Sequence, residues 1–428
     1  MSICDKISFG MRVKYGSSFI DLNLPEKNLL GILAGKHMPP LKQPEEAVLL
    51  ALRQPISSKP LSEKLKKGER VAVIVSDRTR STKADLFLPI LLDEINAGGV
   101  PDKDIFIIFS VGAHPKQTRE QQEKIVGRQV AQRVAMEDHD CNDAANLVEL
   151  GKTAHGTPVK LNRKVVEADR KILTSGITYH YFAGFGGGRK AALPGIAAYD
   201  SIQLNHRLSM DESVCKTAAL DGNPLSEDME EAARMLKPDF ILNTVLNEER
   251  ELCGIFAGEL IAAHRAGCEF INRFAMVKVR EKAELVIAAA GGGGMDINFV
   301  QSHKAMENAR YALRDGGVMI LLAEASEGFP SDIYLKYIEM GSSGRIHTEL
   351  NKKFTVAGHT VYSAFSKAEK FKIIWVSKLP KAVVERMGIV PADSFEEAYA
   401  LTKKELSSDP ATYIMPLAYT TFPVVEKT

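Results

Sequence analysis

Val71-Ala-Val-Ile-Val-Ser76 runs directly into Asp77-Arg78-Thr79-Arg80. The first six residues are continuously small or apolar rather than alternating. That is the signature of a strand covered on both faces of a parallel sheet. The charged tail follows at what would be the carboxyl end of the strand, where open α/β sheets collect their ligands. Similar runs recur at Ile105–Val111, Lys171–Thr174, Phe240–Val245, Leu285–Ala290, Val318–Ala323 and Lys372–Val376. Helical patterns lie between them. Ala84–Ala97 carries Leu86, Ile90, Leu91 and Ile95 on one stripe and ends at Gly98-Gly99, a C-cap signal. Gln117–Val126 and Asp228–Leu236 read the same way. Strands alternating with helices predict an α/β fold with right-handed crossovers. Ser8–Leu24 alternates instead, which predicts a β-hairpin ahead of the first βα unit.

The chain has 428 residues and a mass of 47.0 kDa. That exceeds the roughly 100–200 residues of one ordinary domain. A long helical pattern over Glu259–Val279 precedes a second α/β run. The reading is therefore two α/β domains with mostly parallel sheets and an interdomain active-site cleft. Residues 1–272 form the larger N-terminal domain and 273–428 the smaller C-terminal one, with the extreme C-terminus packing back on the first.

Composition is 45% hydrophobic and 25% charged, enough apolar surface for a folded globular chain. Lys plus Arg number 55 against 54 Asp plus Glu, a net charge of +1. This near-balance argues against a nucleic-acid binder or a polybasic membrane binder. It leaves room for a local anion site. The five cysteines (Cys4, Cys141, Cys215, Cys253, Cys268) include no C-x-x-C pair, which disfavours a disulfide framework or a thiolate zinc site and predicts a cytoplasmic setting. Met1–Lys14 lacks the pattern of a signal peptide, and no apolar run approaches the roughly 18 residues of a membrane helix.

Two glycine loops fail the common nucleotide tests. In Gly184-Phe-Gly-Gly-Gly-Arg-Lys190, Arg189 separates the last glycine from Lys190, and Ala191 stands where a P-loop has Ser or Thr. Gly186, Gly188 and Ala191 match G-x-G-x-x-A only weakly, with no continuous strand before them. Gly291–Gly294 follows a good strand, but Asp296 and Ile297 occupy the third small position. Each loop is open to two readings, a tight turn or a close backbone approach to a phosphate or flat ligand.

Chemistry-bearing residues cluster at strand ends. Asp77 and Arg80 follow the first strand, with Arg80 suited to clamp a carboxylate or phosphate. His114 follows the second, in Ser110-Val-Gly-Ala-His114, and His180 follows the third; either could act as acid or base. Lys190 and His206 come next, and Gln301-Ser-His-Lys304 opens a helix after the second glycine loop. His206 has no H-x-x-x-H partner, so any metal on it needs ligands from elsewhere. Trp375 lies in an apolar strand pattern and is assigned to the core.

Five blocks together are similar to one family. They are Asp77-Arg-Thr-Arg80, Gly112-Ala-His114, His180-Tyr-Phe-Ala-Gly-Phe-Gly-Gly-Gly-Arg-Lys190-Ala-Ala-Leu-Pro-Gly195, Asn205-His206 and Asp296-Ile-Asn-Phe-Val-Gln301-Ser-His-Lys304. The chain resembles the nickel-pincer-nucleotide enzymes, the lactate racemase family of 2-hydroxyacid racemases and epimerases. The resemblance implies an isomerase that carries nickel and a pyridinium-3-thioamide-5-thiocarboxylic acid mononucleotide. It implies Lys190 as the covalent anchor in a cofactor-anchoring N-terminal domain, His206 as the nickel ligand, and His114 and His180 as the acid/base pair. It further implies that Asp77, Thr79, Arg80, Gly187, Gly188 and Arg189 contact the cofactor and that Arg80, Gln301 and Lys304 contact an α-hydroxycarboxylate substrate. Cofactor-synthesis enzymes are implied as maturation partners, and hydride removal and return as the mechanism. The chain departs from some lactate-acting members at Val300, where they have tyrosine, which leaves malate or a sugar acid as open as lactate. A nicotinamide-dependent oxidoreductase would need a clean dinucleotide fingerprint, which both loops fail to give. A non-catalytic binder of nickel or an acidic ligand would need neither two acid/base histidines nor a lysine anchor.

Overall fold

The run at Val71–Ser76 is a strand with all six residues buried, and it occupies the centre of a six-stranded sheet. Across that sheet the order is Leu252–Gly258, Phe240–Leu246, Arg170–Gly176, Val71–Ser76, Ile105–Ser110 and Ala135–Asp138. All neighbours are parallel except the first pair. The computed structural model describes residues 8–406 and 409–426, so Cys4 lies outside the described residues. The chain divides into two compact units, one of residues 37–273 and one that joins residues up to Lys36 with Phe274 onward.

In the 37–273 unit the chain leaves Val71–Ser76 in one direction across the sheet, then returns to lay Arg170–Gly176 on its other side. This reversal opens a crevice at the carboxyl ends of those two strands, the usual ligand position in such sheets. Two apolar layers cover the sheet. One includes Phe87, Leu91 and Ile95 of the Ala84–Ala97 helix, and the other includes Met229, Ala232 and Leu236 of the Pro224–Leu236 helix.

The other unit has its own six-stranded, wholly parallel sheet. Its order is Val390–Ala392, Lys372–Val376, Leu313–Leu322, Ala283–Ala289, Thr412–Met415 and Leu29–Ile32. Trp375 is fully buried and its indole N–H donates to the Ala323 carbonyl at 2.9 Å, as its core assignment requires.

The first 36 residues belong to this unit rather than to a 1–272 domain. The hairpin, Ser8–Tyr15 paired with Ser18–Pro25, places Val13, Leu22 and Leu24 in one apolar cluster with Leu285 and Ile287. Leu29–Ile32 then completes the sheet beside Thr412–Ile414. The extreme C-terminal strand, Phe422–Val425, also pairs inside this unit, with Met276–Val279. Alternation along a segment reports that it is a strand; it does not report which sheet that strand completes. Among the described residues, no helix is long and apolar enough to cross a membrane.

Candidate functional site

Asp77 sits at the crevice of the 37–273 unit, one residue beyond Val71–Ser76, and is 3% exposed. Both carboxylate oxygens accept hydrogen bonds. Oδ1 takes the Thr79 backbone N–H at 3.1 Å and its hydroxyl at 2.6 Å, and Oδ2 lies 2.6 Å from His114 Nδ1. Burial acts to raise the Asp77 pKa, but the bonds from His114 and Thr79 outweigh it and hold the carboxyl below its usual range. Asp77 is therefore an anion that fixes the His114 ring with the proton on Nδ1, leaving Nε2 as the basic nitrogen. The His114 side chain is 51% exposed.

His114 is held from below by its loop. Its backbone N–H donates to the Val111 carbonyl, and Gly112 N–H donates to the Gly195 carbonyl. Gly112 has φ +55, and a Cβ there would meet the Pro194 carbonyl at 3.3 Å. The next loop is held by Asp138 at the edge strand, which accepts from the backbone and side chain of Gln117. Gln117 in turn accepts from Arg78 N–H at 2.8 Å. Arg80 is exposed and makes no ion pair among the described residues.

His180 follows Arg170–Gly176 in a short ribbon, where it pairs with Gly184. Its Nδ1 accepts from the Ala183 N–H at 3.3 Å, which assigns the proton of the neutral ring to Nε2. The two rings, when neutral, thus carry their protons on opposite nitrogens. His180 packs edge-on against Phe182 at 4.4 Å. Phe182 also makes an edge contact at 5.6 Å with His206, a buried residue near the end of the Tyr199–Arg207 helix. Lys190 Nζ lies 5.7 Å from the centre of the same ring. Phe182 thereby ties together three residues that the sequence separates by up to 26 positions.

The Lys190 pKa is pushed well below the usual lysine range, by burial first and then by the Arg80 and Arg189 cations. Its side chain is aliphatic for most of its length, and the neutral amine it favours is the nucleophilic form.

Arg189 is 1% exposed, and its guanidinium is enclosed by protein acceptors. It donates to the carbonyls of Ala183, Phe185 and Ser226 and to the Ser226 hydroxyl, and lies 3.2 Å from His264 Nε2. Burial lowers its pKa to about 10. Arg189 therefore serves the loop's architecture, and its side chain is not placed as the ligand contact that its position beside Lys190 suggests.

The loop's glycines also have a reason within the protein. A Cβ on Gly188 (φ +48) would lie 2.8 Å from the His264 ring, and Gly188 N–H donates to Asn243 Oδ1 at 2.8 Å. Asn243 and His264 are supports that the sequence reading missed. Neither lies in a motif, and each is recognised only by what folds against it. The second glycine loop is likewise built on a close turn: Gly293 N–H donates to the Gly16 carbonyl at 2.7 Å, and Asp296 accepts from Gly16 N–H.

Gln301 and Lys304 lie in the other unit, on the Phe299–Ala309 helix, with Val300 half-buried beside them. Lys304 Nζ donates to Gln301 Oε1 at 2.9 Å and to the Tyr419 hydroxyl at 2.8 Å. Tyr419 was missed in the sequence, although it follows the Thr412–Met415 strand; recognising that short strand would have placed it at a strand end like the others. Among the described residues, no three His, Cys, Asp or Glu side chains gather as a metal site.

The chain is also similar to known proteins. Residues 15–218 match the lactate racemase N-terminal domain and residues 278–418 the lactate racemase C-terminal domain. The chain is 32% identical over 333 residues to a lactate racemase of Thermoanaerobacterium thermosaccharolyticum, covering 77% of this chain and 78% of that one. It is 34% identical over 285 residues to a lactate racemase of Lactiplantibacillus plantarum, covering 66% and 67%. The solved lactate racemase apoprotein from Thermoanaerobacterium thermosaccharolyticum superposes with a TM-score of 0.88 at 28% identity, over 98% of this chain and 100% of that one. A Thermotoga maritima protein shares the fold, with a TM-score of 0.66 at 19% identity over 90% and 99%. The chain belongs to the lactate racemase family.

Proposed function

We propose that this protein racemises or epimerises a short 2-hydroxyacid, using a nickel-bearing pyridinium mononucleotide joined to Lys190. The observation that carries this reading is the grouping of His180, Lys190 and His206 around Phe182, with the Lys190 amine shifted toward its neutral form. A neutral amine is what acylation by a thioacid arm requires. His206 offers one imidazole nitrogen, a donor suited to nickel, and the remaining donors would belong to the bound group. When bound, that group supplies a reversible hydride acceptor for the substrate Cα–H. The Cα–H of a hydroxycarboxylate is too weak an acid for rapid direct deprotonation, which favours such a route.

The chain's own residues handle the proton. His114, with Nδ1–H directed to Asp77, takes the hydroxyl proton at Nε2 as Cα is oxidised to the ketone level. The Asp77 anion stabilises the resulting imidazolium. His180, as its imidazolium, would deliver a proton to the oxygen on the return and be left neutral, so one turnover moves a proton from His180 to His114. Starting from the other enantiomer the two exchange roles, because the first turnover leaves the proton on His114 and His180 neutral. Arg80 offers donors to an anionic group of cofactor or substrate while Thr79, whose N–H and hydroxyl both go to Asp77, shapes the loop that carries it, and Lys304 with Gln301 offers donors to a carboxylate. The substrate class extends beyond lactate because Val300 provides no aromatic wall.

The test uses protein co-produced with cofactor-synthesis enzymes and a set of chiral 2-hydroxyacids in heavy water. Inversion with little deuterium at Cα is expected, with nickel bound and lost in His206→Ala. Full solvent exchange at Cα would replace this mechanism with simple proton transfer.

Asp77→Asn should lower kcat by about 10²- to 10⁴-fold while the protein stays folded. Both Asp77 oxygens accept bonds, so an amide can satisfy either Thr79 or His114 but not both. The charge that stabilises an imidazolium is also lost. A kcat within about threefold of wild type would remove Asp77 from this role.

A further inference from the structure

In the second sheet the chain also reverses direction, between the neighbouring strands Ala283–Ala289 and Thr412–Met415. The first strand leads into the Phe299–Ala309 helix, and the second leads to Tyr419. Gln301, Lys304 and Asn308 stand at i, i+3 and i+7 on this helix, one face of it. Asn308 is 4% exposed, and its amide donates to the carbonyls of Ala418 (2.9 Å) and Tyr419 (3.0 Å). The Ala418 N–H donates to Ala289 at the end of the neighbouring strand. The backbone carrying Tyr419 is therefore fixed from both sides. Its hydroxyl accepts from Lys304 Nζ at 2.8 Å and donates to Gln301 Oε1 at 3.1 Å, and the Lys304 ammonium lies 4.8 Å from its ring centre.

We propose that Tyr419 is a positioning residue for the Lys304 ammonium, making Gln301, Lys304 and Tyr419 one preorganised recognition point for the substrate carboxylate. This rests on the reading of Lys304 and Gln301 as carboxylate contacts. An ammonium has three N–H donors. Two are directed at neutral oxygens, so the geometry is fixed while the charge is not cancelled. Among the described residues no carboxylate pairs with Lys304. The third donor and the full charge are left for an incoming anion, and without the Tyr419 hydroxyl the flexible lysine stem would have to be ordered at the moment of binding.

The experiment compares wild type, Tyr419→Phe, Asn308→Asp and Lys304→Ala as matured enzymes. It measures KM and kcat for the best hydroxyacid of the screen above, and calorimetric binding of oxalate, which needs no turnover. Tyr419→Phe keeps the ring against Lys304 and removes only the hydroxyl. The expected result is a KM and an oxalate Kd raised about tenfold, with kcat within about threefold and nickel content unchanged. Asn308→Asp should move both constants the same way, and Lys304→Ala further. If Lys304→Ala weakens oxalate but Tyr419→Phe does not, the role of Tyr419 is refuted and the carboxylate reading stands. If Lys304→Ala leaves oxalate binding and KM unchanged, the carboxylate reading fails and takes the proposal with it. A Tyr419→Phe protein that melts lower but binds oxalate normally has lost only a structural contact, which also overturns the proposal.

Discussion

Lys190→Ala protein, matured alongside the cofactor-synthesis enzymes, is expected to carry no organic adduct and to show no inversion above background. The loss should be complete because the side chain supplies a bond rather than a contact. Lys190 owes its setting to three neighbours. The Phe182 face favours a cation modestly, but burial together with the Arg80 and Arg189 guanidiniums favours the neutral amine, and the pKa falls. Lys190→Arg should fail as completely, because a guanidinium stays protonated and cannot be acylated. That second variant separates nucleophilicity from charge. Intact-protein mass and peptide mapping read the adduct, and chiral chromatography reads turnover. Activity surviving in Lys190→Ala without an adduct would overturn the proposed mechanism.

Lys367→Met is expected to destabilise its unit by about 3 kcal/mol, the lower part of the range for breaking a buried ion pair. Lys367 Nζ lies 2.5 Å from Glu307 Oε2, and each side chain is 2% exposed. Burial pushes the Glu307 pKa up, but Lys367 and Arg310 outweigh it, so the carboxylate stays charged in the native state. Methionine would fill the space and leave that anion with Arg310, which donates to Oε1 at 2.7 Å, as its remaining cation. Arg310 is why the lower part of the range applies. The double variant Glu307→Gln with Lys367→Met should recover part of the loss, since no buried anion is then left and Arg310, 20% exposed, keeps contact with solvent. Denaturant unfolding of the four proteins closes the cycle. A Lys367→Met loss below about 1 kcal/mol would mean that the pair is not the anchor its burial suggests.

The pair also has a place in function. Glu307 lies on the Phe299–Ala309 helix with Lys304, and His303 beside them is held neutral, with a pKa of about 3 set by burial first and the Lys367 cation second. The helix thus carries its candidate substrate contacts at residues 301 and 304 and its buried ionic anchor at 307. A destabilised anchor should therefore appear in KM as well as in stability.

Much of the fold was legible in the sequence. Buried parallel strands have no polar face, so Val71–Ser76 and Lys372–Val376 announce themselves as apolar runs with their observed bounds. The Ala84–Ala97 helix was legible because its stripe and its terminal glycines agree. The short strands Ala135–Asp138, Val390–Ala392 and Thr412–Met415 were not, since three or four residues carry too little pattern. Missing the last of them also hid Tyr419.

For the site, the sequence by itself determined which residue types follow which strands: Asp77 and Arg80, His114, His180, Lys190, His206, and Gln301 with Lys304. This is possible because an α/β sheet sends the carboxyl ends of its parallel strands to one edge. Only the tertiary structure decided what each side chain does there. It spent the Arg189 guanidinium on carbonyls of its own loop and on Ser226 of the Pro224–Leu236 helix, gave His114 and His180 different Nδ1 partners, gathered three residues around Phe182, and brought Tyr419 to Lys304 across 115 positions. Those outcomes depend on burial and on hydrogen-bond partners distant in the chain. No local pattern of residues encodes them.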